Sequence, residues 1–559
     1  MGALAGGGAA RGRVRPLCDA RRAVLVVAPR APPASPSPDR EGDEEPAISR
    51  SAMPVAMTDA PTPEGSSPPD KVPSRAGLAR NAFHLVLGQV TTTTMGIFLS
   101  AALGRGLGPV DFGLYYLITT MAAFGLVVVD WGQGMAVVRE VARHPSKSGR
   151  FLGAVLGLRA GGTALAAGIT AMAARLTGQT PRTSALAAAL VIAMLPFFLA
   201  QAYGLVFRAS ERMDLDATVT VLNKVLTLAL TVAALGSGFG LVGVIAAQGL
   251  SGLGALAGAV LVGRKLRLPR IQPTFAAARE ILGHGTPIVA LTIAMSAQGY
   301  IDALVLAKLA PEPVVGWYGA ARNIIGTLIA PASIIAIAAY PRLARVAHDT
   351  AAFRRELHTA LRPLLALGAL AAVGTYLFAD LAVAIIYGKK AFGPVGTTLK
   401  VFAPGLFLLF VDVQFAGAVA ALGRTRQLAA AKLFNVLATT ALDLLLIPFF
   451  QARFGNGGIG VVTAFALSEA IMFAAAVWIL PRGSLDRSMI MDIGRALLAG
   501  LLTLALFSLA PSLPVYVKLP ACIAAFAALA RATGLVRGDD VDALRRVFLE
   551  KLAGARGAS

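Results

Sequence analysis

Apolar residues run through most of this chain in long blocks. Between residues 81 and 533, windows of about 20 mostly apolar residues recur, each long enough to cross about 30 Å of hydrocarbon as a helix. Short stretches rich in Gly, Pro or charge separate them. Fourteen spans are predicted, at 81–104, 112–138, 151–174, 184–207, 216–236, 239–262, 282–307, 314–340, 362–386, 396–421, 429–450, 457–480, 491–510 and 513–533. The turn at 236–240, GSGFG, carries no charge and is marked by glycine alone.

Composition agrees with that pattern. The 559 residues are 56% hydrophobic and 14% charged, against about 25% charged in a typical soluble domain. The net charge of +21 does not imply nucleic acid, because the basic residues sit in loops between apolar blocks and do not cluster on one polar face. Alternate loops hold 22 and 9 Lys/Arg, which places the richer set, and with it both termini, on the cytoplasmic side. Two cysteines, Cys18 and Cys522, have no spacing that suggests a metal or a disulfide framework. The first 77 residues are rich in Pro, Ser and acids (APPASPSPDREGDEEP, APTPEGSSPPDKVP) and read as a disordered tail. Met53 and Met57 are alternative starts to Met1.

A repeat lies under the hydropathy. A shift of 203 residues lays Gly113 on Gly316, Tyr115 on Tyr318 and Arg139 on Arg342. Slightly longer shifts, of 212 and 217 residues, lay Asn223 on Asn435 and Gly243 on Gly460. Spans one to six and seven to twelve therefore read as two like-oriented copies, as in parallel-repeat transporters. Tyr115, Tyr116, Trp317 and Tyr318 are expected as anchors at the outer water–lipid boundary, and Pro287, Pro331 and Pro404 as bends.

The ordered series LGPVDFGLYY (107–116), DWGQG (130–134), VVREVAR (137–143), IDALVLAKL (301–309), VGWYGAAR (315–322), YPRLAR (340–345), IYGKKAF (386–392), ALGRTR (421–426) and LLIPFFQARFGNGGIGVVTAFALSE (445–469) resembles Wzx-type polysaccharide flippases. These belong to the multidrug/oligosaccharidyl-lipid/polysaccharide (MOP) exporter superfamily. The resemblance implies an all-α polytopic membrane protein of about 14 helices: two pseudo-symmetric six-helix bundles in a V, as in MATE transporters, plus two C-terminal helices. The corresponding division is a tail at 1–77, a first lobe at 78–263, a cytoplasmic linker at 264–281, a second lobe at 282–481, the extra helices at 482–535 and a cytoplasmic tail at 536–559. It further implies flipping of a prenyl-diphosphate-linked oligosaccharide across the bacterial inner membrane for lipopolysaccharide O-antigen or exopolysaccharide synthesis. Membrane lipids, a polymerase and chain-length machinery would be partners, and no cofactor is expected.

Ionisable residues inside spans are costly and mark functional sites. Arg159, Lys224 and Arg322 are candidates to hold the diphosphate, guanidinium as a bidentate fork and ammonium as a point charge. Gln133, Asn223, Gln298, Tyr300 and Asn435 are candidates to hydrogen-bond sugar hydroxyls. Asp130 and Asp302 are candidates for ion coupling or gating. Asp412, Asp443 and Glu469 are further acids within spans, and pairing between helices is the alternative role for all of these charges. No Walker or HExxH motif occurs and the loops are short, so an enzyme is not expected. A MATE-type cation-coupled drug exporter and a MurJ-type lipid II flippase are the alternatives within the superfamily.

Overall fold

The computed structural model describes residues 75–509 and 513–537, all within one compact unit. The expected N-terminal tail up to residue 74, its candidate start sites and Cys18, and the C-terminal tail beyond residue 537, lie outside the described residues. Sixteen α-helices follow one another: α1 (Arg75–Asp130), α2 (Gln133–Arg143), α3 (Ser148–Leu176), α4 (Pro181–Ala193), α5 (Leu195–Ala209), α6 (Met213–Gly236), α7 (Gly240–Lys265), α8 (Phe275–Leu309), α9 (Glu312–Leu328), α10 (Ala330–Arg345), α11 (Thr350–Ile386), α12 (Lys389–Ala421), α13 (Thr425–Phe454), α14 (Gly457–Ile479), α15 (Arg487–Ser508) and α16 (Val515–Ala532). Among the described residues no strand forms, as expected where every backbone polar group must be satisfied without water.

By length and composition, eleven described helices can cross a membrane, or twelve if the bent pair α9–α10 is one span. The expected fourteen differ from this in two places. The first is the continuous run Thr91–Arg143, where the sequence places two spans. Gly108 interrupts it with φ 72° and ψ 175° ahead of Pro109, a conformation open to glycine and closed to most side chains. The second is α8, which holds the expected seventh span but includes side chains outside the described residues and so is not counted among the eleven. The break between α9 and α10 bends the chain by 40° beside Pro331, whereas α12 runs through Pro404 without leaving helical geometry. Large apolar side chains such as Trp478, Leu176, Met172 and Leu445 are exposed, the reverse of a soluble surface and suited to lipid contact.

The glycines matched by the 203-residue shift touch one another. A Cβ on Gly113 would lie 2.6 Å from the Glu312 carbonyl oxygen and 2.8 Å from the Gly316 nitrogen, and one on Gly316 would run into the Pro109 carbonyl. Backbone thus meets backbone where α1 crosses α9, as small residues allow in lipid. Tyr116 and Tyr318 pack edge to face beside this crossing, 5.9 Å between centroids, and Tyr318 is buried. These rings bind helix to helix and are not the expected boundary anchors.

Aromatic and polar contacts extend the crossing into a seal. Phe112 meets Tyr387 and Phe392, each at 5.7 Å, and those two rings stack at 5.1 Å. Ser100 and Tyr387 share a hydroxyl hydrogen bond of 2.6 Å, and Asn323 donates to Ser100. Arg105 donates to the carbonyls of Ile385 and Ile386.

The C-terminal helices are fastened by charge. Asp492 of α15 is fully buried against His358 (2.8 Å) and two cations, Arg362 (3.2 Å) and Arg495 (2.7 Å). Arg362 also donates to the Leu535 carbonyl. Removing one partner of a buried ionic cluster costs about 3–5 kcal/mol because the others stay buried unpaired. Asp492→Ala is therefore expected to lower the melting temperature in detergent markedly. Asp380→Ala, which breaks the more exposed Lys400 pair, is expected to lower it little.

Candidate functional site: a cavity between α1, α8, α9 and α12–α14

Below the seal lies a cavity of about 750 Å³. Its wall is mixed. Thr93, Ser100, Thr119, Thr120, Asn323 and Thr327 supply hydroxyls and an amide, Phe112, Tyr115, Tyr116 and Phe465 supply rings, and Arg322, Lys432, Asp412 and Glu469 supply charge. Small polar groups beside aromatic faces suit a sugar, which offers hydroxyls at its rim and C–H bonds on its faces.

Arg322, on α9, faces this space with its guanidinium 5.2 Å above the Phe465 ring. Among the described residues no carboxylate lies within ion-pairing distance of it, although Asp302 and Glu469 are near enough to act on it through their charge. A half-buried guanidinium resting on a ring keeps its planar fork available to an anion. Gln298 and Tyr300 also line the cavity. Gln298 donates to Ser468 and accepts from Asn435, so Asn435 stands behind Gln298 and orients it. Tyr300 packs edge to face on Phe124.

The other candidates lie elsewhere. Arg159 does not join Arg322: it is 3% exposed and donates to Gln133, to the Phe198 carbonyl and to Asp130. Gln133 is consumed in the same network, donating in turn to the Val129 carbonyl. Asp130, 57% exposed at the end of α1, is the carboxylate partner of Arg159. The four residues tie α1, α2, α3 and α5 together within the first half of the chain. Lys224 and Asn223 are on α6, away from the cavity lining. Lys224 is half-buried without an ion pair among the described residues. The three expected cations therefore do not form one cluster.

Asp302 is 2% exposed on α8 and neighbours Asp443 of α13. Both Asp443 oxygens lack a hydrogen-bond donor among the described residues. Two carboxyls side by side can bond only when one carries a proton.

Lys432 is a cavity-lining residue that the loop charge count hides. It sits inside α13, its Nζ 2.7 Å from an Asp412 oxygen. The sequence signal was present: Lys432, Asn435, Thr439 and Asp443 recur at three- and four-residue steps, one polar stripe on a helix. Two acids, Asp412 and Glu469, therefore share the lining with two bases, Arg322 and Lys432, where the sequence points to three cations.

Long apolar helices with large apolar side chains on their outer faces make this a multi-pass membrane protein, with a cavity between its helices. The comparisons with known proteins carry this further. Residues 78–347, just under half of the chain, match the family model described as polysaccharide biosynthesis protein. No curated protein sequence matches. Among solved structures the fold is similar to the lipid II flippase MurJ in an inward closed conformation (TM-score 0.64, 13% identity, covering 80% of this chain and 98% of that one). It is also similar to an inward-facing multidrug resistance MATE family transporter of the MOP superfamily (TM-score 0.55, 15% identity, 69% and 93%). A third is a MOP superfamily transporter from Pyrococcus furiosus described as having a binding pocket of reverse polarity (TM-score 0.50, 14% identity, 75% and 96%). At these identities the likeness to the solved structures is one of fold.

Proposed function

We propose that this protein flips a prenyl-diphosphate-linked oligosaccharide across the bacterial inner membrane by alternating access, for surface polysaccharide synthesis. The observation that carries this reading is Arg322, a guanidinium without an ion pair among the described residues, in a cavity otherwise furnished for sugars. A diphosphate supplies the bidentate anion that a guanidinium fork fits. Gln298, Tyr300 and, through Gln298, Asn435 serve the glycan, while the prenyl tail stays in lipid. The loop charges favour both termini in the cytoplasm, so the Gly113–Gly316 seal closes the outer side and the substrate enters from within. Two six-helix lobes, fourteen spans in all, would rock about that seal. The contact of repeat-related glycines supports such symmetry. So does the recurrence of Asn223–Thr227–Ser251 as Asn435–Thr439–Ser468. The Asp302–Asp443 pair is the site we assign to a coupling cation, and the Asp130–Arg159 pair to holding the first lobe together. Polymerase and chain-length proteins would receive the product.

The likeness to MurJ favours a second reading, lipid II as cargo; it too presents a prenyl diphosphate. Proteoliposomes containing the full chain separate the possibilities. Translocation of a fluorescent prenyl-diphosphate oligosaccharide, faster than that of a lipid II analogue, is expected. Ethidium efflux without either lipid substrate would assign the protein to cationic drug export instead.

A further inference from the structure

One wall of the cavity holds an ion pair whose partners are both accessible to the substrate's charge. Lys432 of α13 and Asp412 of α12 stand 2.7 Å apart with 14% and 6% of their side chains exposed, and both line the cavity. Glu469 of α14 lies on the same wall, near Asp412, Lys432 and Arg322. Asp412 Oδ1 and Glu469 Oε2 have no hydrogen-bond donor among the described residues, so each carboxyl has one oxygen to spare. Around them stand Arg322 and Tyr318 on α9, Tyr116 on α1, Asp302 on α8 and Asp443 on α13. On the other packed helices, Arg362 and Asp380 of α11 pair with Asp492 and Lys400, and Arg342 of α10 with Glu356.

Charge counting then sets the chemistry. In the empty cavity two bases, Arg322 and Lys432, share the lining with two acids, Asp412 and Glu469. A diphosphate diester brings two further negative charges and no cation. Among the described residues Lys432 is the one ammonium on the lining, and a phosphate oxygen competes with Asp412 for it. Resting on the flippase reading above, we infer that the diphosphate takes Lys432 from Asp412 on binding, and that the released carboxyl, adjacent to Glu469 and to the new anion, takes up a proton. No covalent bond to the substrate forms or breaks. One ion pair is exchanged, and one proton passes from solvent to a carboxylate oxygen of Asp412 or Glu469. Substrate loading and proton loading are thereby a single event, and proton release to the opposite side would hand Lys432 back to Asp412 and eject the diphosphate.

The test uses full-length protein in detergent and farnesyl-diphospho-N-acetylglucosamine, a diester whose phosphates do not titrate near neutral pH. Calorimetric titration in Tris and in HEPES, whose ionisation enthalpies differ, counts the protons exchanged. About one proton taken up per probe bound is expected, with affinity falling about tenfold for each unit of pH increase near neutrality. Asp412→Asn is expected to bind about tenfold more tightly in mildly alkaline buffer and to lose the pH slope. Glu469→Gln, a second variant in case Asp412→Asn does not fold, is expected to show reduced proton uptake. Binding with no proton exchange in the wild type, or uptake unchanged in both variants, overturns the exchange and leaves the flippase reading standing. Failure of the wild type to bind the probe overturns both.

Discussion

Arg322→Ala is expected to slow translocation of a prenyl-diphosphate oligosaccharide by about 10- to 150-fold in proteoliposomes. Hydrogen bonds to charged groups contribute about 1.5–3 kcal/mol, and each 1.4 kcal/mol is about a factor of ten. Arg322 enters no ion pair among the described residues, so its loss strands no carboxylate partner and the protein should still fold. Arg322→Lys keeps the charge and loses the fork, and an intermediate rate is expected. Arg159→Ala should behave in the opposite way. Its donors are taken up by Gln133, the Phe198 carbonyl and Asp130, so the variant is expected to lose stability while the protein that remains folded binds substrate normally. Rate measurements normalised to the monodisperse fraction separate the two arginines.

The second large effect is expected at the seal. Gly316→Val drives a branched side chain into the Pro109 carbonyl and the Gly113 backbone. Backbone cannot rotate aside as a side chain can, and overpacking of this kind costs about 1–3 kcal/mol or more. The cost falls on the state in which α1 and α9 cross closely, so the equilibrium shifts toward the state in which they part. Spin labels introduced by Val110→Cys and Ile385→Cys, both exposed beside the seal, should report a longer mean distance in Gly316→Val, and translocation should stop. An unchanged distance with full transport would show that the crossing does not open during the cycle.

The glycine crossing was legible in the chain because close approach admits one residue type, and the 203-residue shift pairs the two positions that meet. The spans were legible because lipid demands long apolar runs. The first two spans meet at the Gly108 kink with helix on either side, so they follow one another without the loop that a sequence pattern expects. The site was legible in part. Depth along a helix follows from sequence position, which is why Arg159, Lys224 and Arg322 all stood out. The direction a side chain faces depends on which helices pack around it, and only Arg322 faces the cavity. Tyr116 and Tyr318 were misplaced for the same reason, since an aromatic near a helix end suits either a lipid boundary or a helix crossing. Lys432 was hidden by its neighbours, because GRTRQLAAAK reads as loop charge until the stripe through Asn435, Thr439 and Asp443 is followed inward.

The location of the bound head group tests the central claim most directly. A prenyl-diphosphate sugar carrying a diazirine on its first sugar can be photolysed with reconstituted full-length protein and the adducts mapped by mass spectrometry. Adducts are expected on the cavity wall, at Tyr115, Tyr116 and Asn323, and should fade in Arg322→Ala. Adducts confined to lipid-facing side chains, or gathered around Arg159 on α3, would contradict an oligosaccharide path through this cavity.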